Sequence, residues 1–332
     1  ILIQYIVYRE VTMQHIKSFI ENYQIYIYFT AVIGGVLTGL ISYSFANFLE
    51  SIVSVCIGIL MFSMFSQIPF FKIKQNFLNV RFIIALLISN FIVIPLFVFC
   101  LVQLFNITNT PVIIGLYLVL LTPCIDYVIV FTALGKGNEH FMLFATPLLF
   151  IFQILLLPIY FTLFLDIDIF SHMTIVPFIK AFSMFIILPL IFALLLQFFS
   201  SKSKTSNQIL QLTAWLPEIF MSFVLFSVVG SQINKTIHNL DIVLIVVPIY
   251  ICFLTISPFI GALCGKLFKL EAEAKRTLAF SSSTRNALVV LPLALVLPKD
   301  WVTITTTVVI TQTLCELLGE IIFIKAIPKL IR

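Results

Sequence analysis

Apolar residues along this chain gather in long runs separated by short polar intervals. Ten runs reach the length an α-helix needs to cross a bilayer, about 20 residues at 1.5 Å per residue. They lie near 25–45, 51–69, 81–105, 111–134, 141–165, 175–199, 212–231, 241–265, 275–298 and 301–324. The pattern predicts an all-α polytopic membrane protein of ten transmembrane helices. No polar interval is long enough for a sizeable extramembrane domain.

The ninth run, KRTLAFSSSTRNALVVLPLALVLP (275–298), is polar in its middle. Ser281, Ser282, Ser283, Thr284, Arg285 and Asn286 fall at bilayer depth, where an arginine costs several kcal/mol unless it is paired or faces a cavity. Four consecutive hydroxyl residues also offer the backbone other partners, so the helix is expected to break here.

Lysine and arginine in the connections set the orientation. With the N-terminus inside, fifteen fall on the cytoplasmic side and only Lys235 and Lys299 on the other, while Lys180 and Arg285 lie within spans. Both termini are therefore expected in the cytoplasm: residues 1–24 as one tail, 325–332 as the other. Two sets of five spans, 25–165 and 175–324, can be duplicates only if the second inserts upside down. Adding 162 to the starts of spans two to five (51, 81, 111, 141) lands within about two residues of spans seven to ten. The residues themselves show little identity across the halves. The same offset places the partner of Arg285 near residue 123. There the fourth run reads PVIIGLYLVLLTPCIDYVIVFTAL. Pro123 removes a backbone donor in mid-span and marks a second break. The helical halves that follow would aim positive dipole ends at the membrane centre.

Composition agrees with a bilayer protein: 61% of the 332 residues are hydrophobic and 10% charged. The net charge of +5 is spread among the loops and gives no reason to expect nucleic acid. Cys56, Cys100, Cys124, Cys252, Cys264 and Cys315 lie in or beside apolar runs without zinc-ligand spacing. The chain opens on Ile1, and Met13 is read as an alternative start; residues 1–12 carry no signal-peptide pattern.

Asp126 is the carboxylate in the interior of the first five spans, and with Arg285 it makes the sharpest candidate pair. The pair could be a proton-coupling charge pair in a polar cavity or a static salt bridge between broken helices. Cys124, beside Pro123, could be a soft ligand for a metalloid or pack as a small apolar residue. On the tenth span, Glu316 is deep enough to be a second proton-carrying group. Glu320 is expected near the cytoplasmic end, solvated or paired with Lys325, and Gln312 shares their face. Glu218 reads as an interfacial residue, Gln153 as a cavity or interhelical residue, and Tyr117 and Tyr127 as packing. No P-loop, histidine cluster or aspartate-rich magnesium motif is present, and no cofactor is expected.

Ten spans in inverted fives with broken fourth and ninth helices resemble the bile acid:sodium symporter superfamily. Within it, LLTPCIDYVIVFTALGKGNEH and FSSSTRNALVVLPLALVLP look most like the arsenical-resistance permeases, the arsenite exporters. The resemblance runs from about Tyr26 to the end. It implies that Cys124, matching the exporters' Pro-Cys, is the metalloid contact. This chain departs from the exporters at Ala287 and Leu288, where they carry a glutamate after the asparagine. It departs from sodium-coupled members in having serines where they carry a glutamate. Net negative charge suits a hard cation, and Arg285 beside the site argues against sodium.

The expected function is secondary active transport across the cell membrane, proton-coupled, exporting arsenite or a related metalloid oxyanion. Cys124, Ser282, Ser283, Thr284, Arg285 and Asn286 are the expected substrate residues, Asp126 and Glu316 the proton-coupling ones, and Pro123 the structural break. The alternative is a transporter of small organic anions with Arg285 as clamp. A membrane-embedded enzyme would need a nucleophile–base pair or a metal cluster, and neither is visible. Reporter fusions after Lys202 and after Asn239 should read inside and outside respectively. The same side for both would overturn the span assignment.

Overall fold

The computed structural model describes residues 23, 26–68, 70, 79–125, 127–165, 180, 183–200, 202–213, 216–237 and 239–332. The described residues are helical, with one isolated antiparallel bridge between Pro123 and Arg285. Among the described residues, five helices are long and apolar enough to cross a membrane, six if a pair bent by 41° at Val53–Val55 is one span. The protein is thus a multi-pass membrane protein. Backbone hydrogen bonds within a helix are what the bilayer interior demands, because lipid offers no partner.

Contacts divide the chain into two units, Ile1–Gln67 with Ile187–Asn234, and Ile68–Ile186 with Lys235–Arg332. The first unit holds α1 (Tyr26–Ile41), α2 (Tyr43–Gln67), most of α7 (Ser183–Ser200), α8 (Lys204–Thr213) and α9 (Leu216–Ile237). In place of a plain connection between the sixth and seventh runs, KTSNQILQLT forms the helix α8, since Lys, Gln and Leu are good helix formers. Gln197 on α7 donates to the Phe65 and Ser66 carbonyls at the end of α2. Gly35 lets α1 approach α9, where a Cβ would stand 2.6 Å from the Phe226 carbonyl oxygen.

The second unit holds α3 (Val80–Leu104), α4 (Thr110–Leu120), α5 (Val128–Leu134), α6 (Glu139–Phe164), α10 (Leu240–Leu267), α11 (Ala272–Ser283), α12 (Ala287–Leu295) and α13 (Lys299–Leu330). Asparagine side chains cap four of their starts. Asn79, Asn109, Asn138 and Asn286 accept from the amides of Phe82, Val112, Phe141 and Val289. The run at 111–134 is therefore two helices, α4 and α5, and the run at 275–298 is also two, α11 and α12. A π-helical turn, Ser89–Val93, interrupts α3 just before Pro95, which lacks the donor a regular turn would use.

α10 and α11 pack along their length, and Gly261 makes this possible. A Cβ there would collide with the Leu278 carbonyl and lie 2.6 Å from Ser282 Oγ. Gly261→Leu should overpack this contact at a cost of roughly 1–3 kcal/mol and lower the thermal midpoint of the detergent-solubilised protein. Gly58→Leu, at a position with nothing within 4 Å, is the control and should not lower it. Equal midpoints for the two variants would show that this approach does not hold the helices.

Candidate functional site

The site is where the two broken helices meet. α4 ends at Leu120 and α5 begins at Val128; α11 ends at Ser283 and α12 begins at Ala287. Each break leaves backbone groups without helical partners, and the two breaks supply each other. The Cys124 amide donates to the Thr284 carbonyl at 3.1 Å, and the Asn286 amide to the Thr122 carbonyl at 2.8 Å. Pro123, with no N–H to offer, lies in this short ladder opposite Arg285. Their separation, 285 less 123, is the 162-residue offset between the spans.

Arg285 is fully buried. Its side chain turns back toward the end of its own helix. Nη2 donates to the carbonyls of Ser281 (2.7 Å) and Ser282 (2.8 Å) and to Asn90 Oδ1 (2.9 Å). Those two carbonyls belong to the last turn of α11, where helix carbonyls lack partners and the dipole is negative, so a cation suits them. Cζ stands 5.6 Å from the centre of the Phe253 ring, and Nε has no hydrogen-bond partner among the described residues.

The serines are tied rather than free. Asn90 Nδ2 donates to Ser281 Oγ at 3.0 Å, and Ser89 Oγ meets Ser282 Oγ at 2.8 Å, joining α3 to α11 at the π turn. Ser283 bonds back to the Ala279 and Phe280 carbonyls of its own helix. Asn286 spends Oδ1 on its cap, and its Nδ2 has no partner among the described residues.

α13 runs beside the crossing. Glu316, fully buried, takes three contacts there. Oε2 accepts from the Arg285 amide at 2.7 Å and from Gln312 Nε2, and Oε1 lies 2.6 Å from the Tyr127 hydroxyl. The same hydroxyl is 3.0 Å from the Arg285 carbonyl oxygen. Tyr127 is therefore a polar member of the site, and the expectation that it merely packs is corrected. Its ring still meets Phe131 edge-on. Glu320 is also corrected. It is fully buried, and Oε1 faces the Thr284 hydroxyl at 3.0 Å, while Lys325 is exposed. The reason is length: α13 continues to Leu330, so Glu320 lies well inside it.

The structure thus brings together Cys124, Arg285, Asn286, Ser282, Thr284 and Glu316 around Pro123. Cys124 is fully buried and close enough to Arg285 to interact electrostatically. Asp126 and Lys72 lie outside the described residues, so the expected Asp126–Arg285 pair is not described. Gln153 is buried with Oε1 unpartnered, and the side chain of Glu218 is not described. Sequence reasoning missed Ser89 and Asn90. Their signal was a polar pair interrupting the apolar run ALLISNFIVI. Among the described residues, no three His, Cys, Asp or Glu side chains are grouped to hold a metal ion.

Comparison with known families places these features. The model of the sodium bile acid symporter family matches residues 54–239. That range takes in Ser89, Asn90 and the whole first break, whereas Ser281–Asn286, Glu316 and Glu320 lie beyond it. A search of curated proteins returns no match. Over half of its length, and with the first of the two breaks inside the match, the chain belongs to the sodium bile acid symporter family, a family of membrane transporters.

Proposed function

We propose that the chain is a proton-linked secondary transporter that exports arsenite or a related metalloid oxyanion across the cell membrane. In this reading the ten runs form two inverted five-span repeats with both termini cytoplasmic, and the crossing at Pro123 and Arg285 is the substrate site. The observation that carries it is the setting of Arg285. Three oxygens converge at 2.7–2.9 Å on one guanidinium nitrogen. Oxygens are the donors a hard cation takes, and here a tethered cation already uses them. A mobile inorganic cation has nothing to add at these oxygens, which favours the proton as the coupling ion.

Hydrogen counting at Glu316 supports that choice. A hydroxyl has one hydrogen, yet Tyr127 lies within bonding distance of two acceptors, Glu316 Oε1 and the Arg285 carbonyl. A proton on Glu316 satisfies both: the acid donates to Tyr127, and Tyr127 donates to Arg285. Removing that proton forces Tyr127 to choose, and the carbonyl at the crossing loses its partner. Protonation at Glu316 and the geometry of the break are therefore coupled. Asp126, two residues beyond Cys124, is the second proton carrier in this reading.

Cargo recognition rests on Cys124. Arsenite at neutral pH is mostly the uncharged trihydroxide, so charge cannot select it, whereas a thiol can. A single thiol gives weak, reversible capture, as a carrier requires. The second reading, a small organic anion, is favoured by the unpartnered donors Arg285 Nε and Asn286 Nδ2.

Cys124→Ser separates the two. Arsenite resistance conferred on a sensitive cell should fall to the level of cells without the protein, while Ser at Cys56, Cys100, Cys252, Cys264 or Cys315 changes little. Full resistance in Cys124→Ser at equal expression would make the thiol a packing residue. Organic-anion transport should instead survive Cys124→Ser and fail in Arg285→Ala.

Coupling is tested separately in vesicles with imposed gradients. Transport should follow the proton gradient, persist when choline replaces sodium at fixed pH, and lose its coupling in Asp126→Asn without loss of insertion. Arrest in choline would show that Arg285 does not stand in for a mobile cation.

A further inference from the structure

Tyr127 is not the only hydroxyl here with more acceptors than hydrogens. Thr284 Oγ1 lies 2.7 Å from the Phe280 carbonyl oxygen and 3.0 Å from Glu320 Oε1. With one hydrogen, it can donate to only one of them. If Glu320 were a carboxylate, the Thr284 hydrogen would go to it, leaving Thr284 Oγ1 and the Phe280 carbonyl oxygen 2.7 Å apart with no hydrogen between them, and the charge would be fully buried with Oε2 lacking a partner among the described residues. A proton on Glu320 Oε1 removes the conflict. The acid then donates to Thr284, and Thr284 donates to Phe280.

We propose that Glu320 is a second proton-binding site of this transporter, held as a neutral carboxylic acid one helical turn from Glu316. The charges around it point the same way. Among the described residues, no Lys, Arg or His side-chain nitrogen comes within 4 Å of either glutamate. On its own helix the titratable neighbours are Glu316 and Cys315. From α10 come Tyr250, whose hydroxyl is spent on the Val308 carbonyl, and Cys264, which lies against Ser89. α4 contributes Tyr117, the first break Cys124 and Tyr127, and the second break Arg285. On α11, Arg276 is engaged by the Ile331 and Lys136 carbonyls and Lys275 by that of Arg332. Arg285 is thus the one buried positive charge described beside the pair, and it can offset one carboxylate but not two adjacent ones.

The role of this proton rests on the proton-linked reading above, although its presence does not. When Glu320 loses it, the Thr284 hydrogen turns from the Phe280 carbonyl to the carboxylate, and the last turn of α11 loses a bond right at the break. Glu316 acts on the Arg285 carbonyl through Tyr127, and Glu320 acts on the neighbouring residue through Thr284. Two acids on one helix thereby report to two consecutive residues of the same break.

The test needs no cargo. Infrared spectra of the purified full-length protein in lipid at neutral pH should contain carbonyl stretches of protonated carboxylic acids. Glu320→Gln should remove one such band, and Glu316→Gln a different one. Thr284→Ala should shift the Glu320 band to higher frequency, because its hydrogen bond is lost, and leave the Glu316 band in place. Should Glu320→Gln fail to fold, Thr284→Ala carries the test, and Glu320→Asp should keep a displaced band. Loss of carboxylate bands alone in Glu320→Gln, or no shift in Thr284→Ala, would overturn the proposal. Failure of arsenite or proton transport would strike the function proposed above and leave these bands unchanged.

Discussion

Two interrupted helices can sit at the level of a bilayer only if something other than lipid or water satisfies the interrupted backbone. In this protein each break does that for the other. Two amide-to-carbonyl bonds, Cys124 to Thr284 and Asn286 to Thr122, stitch them, and Pro123 sits where its missing donor matters least. The rest of the second unit is arranged around that ladder. α13 lies alongside it and presents Glu316 to the Arg285 amide. α3 opens into a π turn and presents Ser89 and Asn90 to the end of α11.

The buried guanidinium is the costliest component. Enclosing an ion carries an effective penalty of several kcal/mol, and each hydrogen bond to a charged group returns about 1.5–3 kcal/mol. The two hydrogens of Nη2, shared among three oxygens, return an amount of the size required. These bonds are also well prepared, since their acceptors are fixed before Arg285 arrives. Two are last-turn carbonyls of α11, and the third is held by the bond of Asn90 Nδ2 to Ser281. The serine-rich sequence that weakens the helix is thus the sequence that receives the arginine, so the break and its ion are one design.

The sites of the long helices and of both breaks were legible because they rest on composition: apolar runs of sufficient length, a mid-span proline, and four hydroxyl residues in succession. Residue identities at the crossing followed from spacing alone, since 123 and 285 differ by the offset of the spans. Contacts between distant elements were not legible. Tyr127 meets Glu316 across 189 positions and Asn90 meets Arg285 across 195, and nothing local marks either pair. Glu320 was misplaced for a simpler reason. The last apolar run ends near 324, but the helix continues to Leu330, so the residue is interior. Burial depends on where a helix stops relative to its neighbours, which periodicity does not give.

A carrier must connect what it binds to which way its site opens, and under the proposed function that connection would run through single hydrogens. Arg285 contributes two kinds of group to the crossing. Its guanidinium is anchored on neutral oxygens and has no proton to trade at ordinary pH. Its backbone is held on one side by Glu316 Oε2 and on the other by Tyr127. On the proposed function, a change of protonation on α13 would leave the fixed charge in place and act on the backbone that shapes the break. Cys124 hydrogen-bonds through its amide to Thr284, the residue immediately before Arg285. A ligand on that thiol and a proton on that carboxyl would thus bear on the same few peptide units, which is the requirement for one to influence the other.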